Sequence, residues 1–186
     1  MSGRVPIIAT IIVLAAVATM IALGFWQLGR MGEKADLLAR YEAAASSSDE
    51  VAFPVTGDTG EAWFRPSRVA CERVVSIEPV SGTSSKGQKG WVQRATCAVG
   101  GDRTVPVDLG YSRDIAQPEF GGGIITGVIA PGPRLVADPP VAGLQPMAKP
   151  DPGDLPNNHL AYAGQWFFFA LTALVIYVLA IRRRRR

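Results

Sequence analysis

The sequence predicts an α+β membrane protein. Two transmembrane helices near the termini flank a small antiparallel, barrel-like β domain that lies outside the cytoplasm. Three observations carry this. Leu160–Ile181 is a run of 22 residues without a charged side chain; at about 1.5 Å per residue it covers roughly 33 Å, enough for the hydrocarbon core of a bilayer. Val5–Leu23 is a second uncharged run, of 19 residues. Between them, residues 52–135 are rich in β-branched side chains and punctuated by glycine clusters, the pattern of short strands and turns. The expected boundaries are a first span over 5–26, an extracytoplasmic helix and β domain over 27–156, a second span over 160–181 and an arginine tail over 182–186.

The first span opens with Pro6 in its first turn, where the missing N–H costs little. A cleaved signal peptide usually has an apolar run of about 7–15 residues and a small-x-small cleavage site. This run is longer and ends in Trp26-Gln27-Leu28-Gly29-Arg30, so the reading is a retained span. Gly29–Ala45 continues as a helix, with Leu37, Leu38 and Tyr41 at helical spacing. Ser46-Ser47-Ser48-Asp49 then forms a polar linker.

In the β region, Arg68–Pro79 reads as one strand and Ser81–Gly90 as a loop. Trp91–Val99 and Arg103–Tyr111 form a hairpin around Gly100-Gly101-Asp102, and Ile124–Ala130 makes a further strand. From Pro131 to Pro156, prolines and glycines predict an irregular return to the membrane.

Charge excludes one class of function. Arg4 and Arg182–Arg186 supply six of the nineteen basic side chains, and residues 24–158 hold the other thirteen against sixteen acidic ones. The central domain is mildly acidic and offers no basic surface to nucleic acid. The terminal arginines read as a cytoplasmic anchor, which places both termini in the cytoplasm and the central domain in the periplasm of a bacterial inner (plasma) membrane protein.

Catalytic patterns are missing from the sequence. It has no G-x-S-x-G, no phosphate loop and no dinucleotide glycine pattern. The single histidine, His159, stands at the mouth of the second span, where a Ser–His–Asp triad is hard to assemble. Asp102, Asp108 and Asp114 are expected to be solvated surface carboxylates. One histidine and two cysteines cannot make a zinc-finger ligand set. Cys71 and Cys97 are either a disulfide, if they lie on neighbouring strands in an oxidising compartment, or two buried thiols; the residues leave both open.

The membrane interface holds the remaining candidates. The end of the first span and the start of the second lie on the same side, which brings Trp26, Gln27 and Arg30 to the depth of Asn157, Asn158 and His159. His159, Tyr162 and Trp166 share a helix face at i, i+3, i+7, and Gln165, polar in an apolar run, is expected to face protein. A neutral imidazole beside aromatic rings and a cation describes a haem pocket. His159 would ligate the iron and Arg30 would pair with a propionate. An interfacial aromatic belt with a histidine capping a helix describes the same residues.

Two stretches resemble a known family. Gly24-Phe-Trp-Gln-Leu-Gly-Arg30 and Asn157-Asn-His-Leu-Ala-Tyr-Ala-Gly-Gln-Trp166 resemble the surfeit locus protein 1 family of cytochrome c oxidase assembly factors. Phe64–Val69 and Ile125–Val128 are similar to further segments of that family. Leu109-Gly110-Tyr111-Ser112 departs from the Asn-Arg-Gly-Trp-Val-Pro-like strand usual there. The resemblance implies a non-enzymatic chaperone that binds haem a, with His159 as axial ligand and Trp26, Gln27, Arg30, Tyr162 and Trp166 around it. It also implies the oxidase large subunit as partner, with haem a synthase as a second. A scaffold that holds an oxidase subunit without haem is the alternative.

Overall fold

The computed structural model of the protein describes residues 6–56 and 59–185. Arg4, Arg186 and Val5, the predicted first residue of the first span, lie outside the described residues. The chain forms two compact units, one made of the residues up to Leu37 with those from Pro156 onward, the other of Leu38–Leu155.

The first unit is an antiparallel helix pair. Helix α1 (Ile7–Ala45) has 39 residues, of which those up to Leu37 belong here, and α2 (His159–Arg185) has 27. Both are long and apolar enough to cross a membrane. Their facing residues recur at alternating steps of three and four: Thr10, Val13, Val17, Met20, Gly24 and Gln27 on α1, and His159, Ala163, Trp166, Ala170, Ala173 and Tyr177 on α2 are each buried or half-buried. This spacing keeps one stripe of each helix in contact over the length of the pair. Hydrophobicity cannot drive association in lipid, so close packing must, and small residues sit where it is tightest. Ala163 and Ala170 are buried, and a Cβ on Gly24 would stand 2.5 Å from the Phe167 ring. The Thr10 and Tyr177 hydroxyls hydrogen-bond across the seam near one end. Gln165 does not face the partner helix; it is exposed.

The second unit is built on a seven-stranded sheet: β1 (Val51–Ala52), β2 (Pro66–Cys71), β3 (Arg73–Thr83), β4 (Lys89–Ala98), β5 (Thr104–Ser112), β6 (Gly123–Ala130) and β7 (Arg134–Ala137). The order is β1-β2-β6-β7-β5-β4-β3. The expectation of a small antiparallel, barrel-like domain is met only in part. The β1–β2 and β5–β7 pairs are parallel, so the sheet is mixed. It is also open, with β1 and β3 as its ends. The expected single strand over Arg68–Pro79 is two strands separated by Glu72, and that one residue takes the chain from β2, second in the order, to β3, the last.

Two further expectations fail for local reasons. Half of the predicted loop at Ser81–Gly90 is ladder, with Ser81 opposite Trp91 and Gly82 opposite Gly90. Large apolar residues are absent there because Val92 fills the space: a Cβ on Gly82 would lie 2.3 Å from its Cγ2. Within the predicted irregular return lies β7, whose Leu135, Val136 and Ala137 are buried between β6 and β5. Four residues flanked by proline and glycine carry too little periodicity to be read as a strand.

The main core gathers Val69, Cys71, Ala95, Cys97, Val105, Val107, Leu109, Ile125, Ile129 and Leu135 on one face of the sheet. A bulge alters the pattern in β5. Arg94 pairs with Asp108 but Gln93 pairs with Gly110, leaving Leu109 as the extra residue. Leu109 stays in the main core, while Tyr111 joins Val92, Ala130, Val136 and Met147 in a second cluster. The Tyr111 hydroxyl donates to the Lys89 carbonyl at 3.0 Å. The end of α1 contributes Tyr41, whose ring lies 5.2 Å from Phe64 and 5.7 Å from Trp63. Cys71 and Cys97 form a disulfide between β2 and β4, strands that are not neighbours in the ladder order.

Candidate functional site

The helix pair brings together two polar side chains that are 132 residues apart in sequence. His159 Nδ1 lies 2.7 Å from Gln27 Oε1. The seam spacing dictates the meeting, since Gln27 continues the α1 stripe one turn beyond Gly24 and His159 opens the α2 stripe one turn before Ala163. Below them the helices touch through Phe25 and Phe167, edge-on with ring centroids 5.4 Å apart.

This bond defines the chemistry of the imidazole. An amide oxygen accepts, so the neutral tautomer that satisfies this contact carries its proton on Nδ1 and has its lone pair on Nε2. A ring fixed through Nδ1–H to a protein acceptor and free at Nε2 is the usual state of a metal-ligating histidine. Among the described residues no three His, Cys, Asp or Glu side chains gather as a metal cage.

The other predicted residues are placed less closely. Trp26 and Tyr162 are 57% and 52% exposed. Trp166 is half-buried and packs edge-on to Phe169 at 6.3 Å. Arg30 is exposed and forms an ion pair with Glu33 on its own helix. The structure thus joins His159 to Gln27 and shows no bond from either to Arg30. Asn157, two residues before His159, has a buried Oδ1 without a hydrogen-bond partner. Sequence reasoning missed the Phe25–Phe167 contact and the role of Gly24. The signal for both was the small-then-aromatic order of Gly24-Phe25.

A second polar centre went unforeseen. Asp108, expected on the surface, is buried in the sheet. Arg94 Nε reaches its Oδ1 at 2.6 Å, and Arg134 Nε reaches its Oδ2 at 2.9 Å. Arg94 lies opposite Asp108 on the neighbouring strand, whereas Arg134 arrives on β7, the strand that the sequence concealed.

The SURF1 family profile matches residues 14–141, more than half of the chain. The chain belongs to the SURF1 family. This family is one of assembly factors associated with cytochrome oxidase. The matched stretch includes Trp26, Gln27, Arg30 and the whole sheet, and ends before His159, Tyr162 and Trp166. No curated protein matches the chain. The SURF1 family is associated with cytochrome oxidase assembly, and the two long apolar helices suggest a two-pass membrane protein.

Proposed function

We propose that this SURF1-family protein carries haem a during maturation of haem–copper cytochrome c oxidase. In that role His159 Nε2 would hold the haem iron, and Gln27 would fix the ring for it. The observation that carries the reading is the 2.7 Å bond between His159 Nδ1 and Gln27 Oε1, which orients an imidazole at the end of a membrane helix and leaves its second nitrogen free. Exposed Trp26 and Tyr162 supply flat apolar surface for a macrocycle. The oxidase large subunit receives the haem, and haem a synthase is the source that supplies it.

The setting is a bacterial inner membrane with both termini cytoplasmic and the sheet domain in the periplasm. The arginine tail supports this orientation. The Cys71–Cys97 disulfide supports it too, because such bonds persist in oxidising compartments.

The test is the visible spectrum of protein purified from cells that make haem a, compared with His159→Ala. A Soret band present in the wild type and lost in the variant is the expected result. Absence of haem from both, with oxidase subunits still co-purifying, refutes haem carriage and leaves a scaffold that holds an assembly intermediate.

A further inference from the structure

We infer that the sheet domain holds a second, carboxylate-binding site, built on the Arg94–Asp108–Arg134 cluster. Two guanidinium groups converge on one buried carboxylate. Arg94 donates from Nε at 2.6 Å and Nη2 at 3.2 Å, and Arg134 donates from Nε at 2.9 Å. Arg134 is held further by the Pro131 carbonyl. One arginine suffices to neutralise an aspartate, since a bidentate fork matches a carboxylate by itself. The second leaves an uncompensated positive charge in a partly desolvated place. For stability alone that arrangement is costly.

The surplus charge faces open space. Arg94, Asp108 and Arg134 together line a cavity of about 230 Å³, and the two arginine side chains keep about a third of their surface exposed, 34% and 32%. Arg94 Nη1 and Arg134 Nη2 remain to donate to a ligand. Lys149 and Asp154 stand at the rim; the lysine amine is paired with Asp138 at 2.6 Å. Arg94, Asp108 and Arg134 carry one net positive charge between them, which suits a single anionic group; Lys149 is neutralised by Asp138, and Asp154 is the other carboxylate of the lining. The remaining wall sets Val80, Val92, Val136 and Met147 beside the hydroxyls of Ser81 and Thr83. The ligand class is therefore a monocarboxylate with an apolar body, either a small acid or an acidic side chain of a partner segment flanked by apolar residues. The cluster stands on side chains of three strands, β4, β5 and β7, so it is preorganised by the sheet and independent of haem.

The experiment uses the full chain in lipid nanodiscs and follows its unfolding midpoint against hexanoate, with hexylammonium as control at equal ionic strength. A saturable stabilisation by hexanoate alone is expected, weakened at least about tenfold in Arg134→Gln. Asp108→Asn keeps the shape and removes the internal anion, and it should bind hexanoate several-fold more tightly; a purely structural cluster gives no such gain. If Arg134→Gln does not fold, Arg134→Lys keeps the charge, loses the fork and should show the same weakening in smaller degree. Acetyl-Leu-Glu-Leu-amide, against its Gln counterpart, separates the two sources. Tighter binding than hexanoate assigns the site to a partner segment, and weaker binding assigns it to a small acid. Equal response to hexanoate and hexylammonium, or equal hexanoate affinity in the wild type and Arg134→Gln, overturns the inference.

Discussion

Replacing both cysteines by alanine tests how the sheet domain is held together. Cys71 and Cys97 are 3% and 0% exposed and are separated by 26 residues. Closing a loop of that length removes denatured-state entropy worth about 3.5 kcal/mol at 25 °C. For a domain of this size each kcal/mol moves the midpoint by about 3–5 °C, so Cys71→Ala/Cys97→Ala should melt roughly 10–17 °C lower. The bond lies where the chain passes from β2 to β3, beside the Glu72 N–H donating to the Ala98 carbonyl at 2.9 Å. The assay is a thermal scan of the full chain in mild detergent, followed by circular dichroism in the β region. A midpoint within about 3 °C of the wild type would refute the reasoning, because the hydrogen-bonded ladder would then be holding the sheet ends unaided.

Four other substitutions or fusions probe the rest. Gln27→Leu removes the acceptor for His159 Nδ1, and haem retention by the purified protein should fall about 10–100-fold, while Gln27→Glu should retain it; equal retention in Gln27→Leu removes Gln27 from the site. Ala163→Leu overpacks the helix seam and should cost about 1–3 kcal/mol in detergent-titrated unfolding; the same change at exposed Ala161 is expected to be near neutral, and equal effects at both positions contradict the seam. The Glu50 carboxyl is held below its ordinary range, first by its hydrogen bond from Arg68 and less by the Arg68 charge. A depressed carboxylate stabilises the fold above its ordinary value and loses that contribution as pH falls through the depressed one. The small difference between the wild type and Glu50→Gln should therefore close on acidification, and a gap that widens instead would show the sign to be wrong. A topology reporter fused after Arg186 should read as cytoplasmic; an external signal there reverses the proposed orientation.

The two helices were legible because length without charge is a strong signal and nothing competes with it. The hairpin of β4 and β5 was legible for a similar reason, with alternating residues around Gly100-Gly101. The sheet order was not, because parallel pairing of β5 with β7 depends on a four-residue strand hidden among prolines. The edge of the predicted loop was missed because Gly82 looks like a breaker in sequence and acts as a space for Val92 in the fold. At the site, the single histidine and its depth could be read directly, and so could the proximity of Gln27. The pairing of Arg30 with Glu33 could have been anticipated from i, i+3 spacing. The burial of Asp108 could not, since it follows from the meeting of three strands rather than from any local pattern.

The one-residue passage at Glu72 also sets a timetable. β3, β4 and β5 follow each other along the chain and can zip up as they emerge. β2 emerges before them but pairs with β6, whose register places Cys71 opposite Gly123 and Pro66 opposite Val128. At a synthesis rate of about 5–20 residues per second, β2 waits roughly 3–10 seconds for the first of those partners. During that interval its hydrogen-bonding edge is bare. Cys71 and Cys97 are both available before β6 arrives, so the crosslink can hold the waiting strand against β4 until the chain that completes the sheet has been delivered.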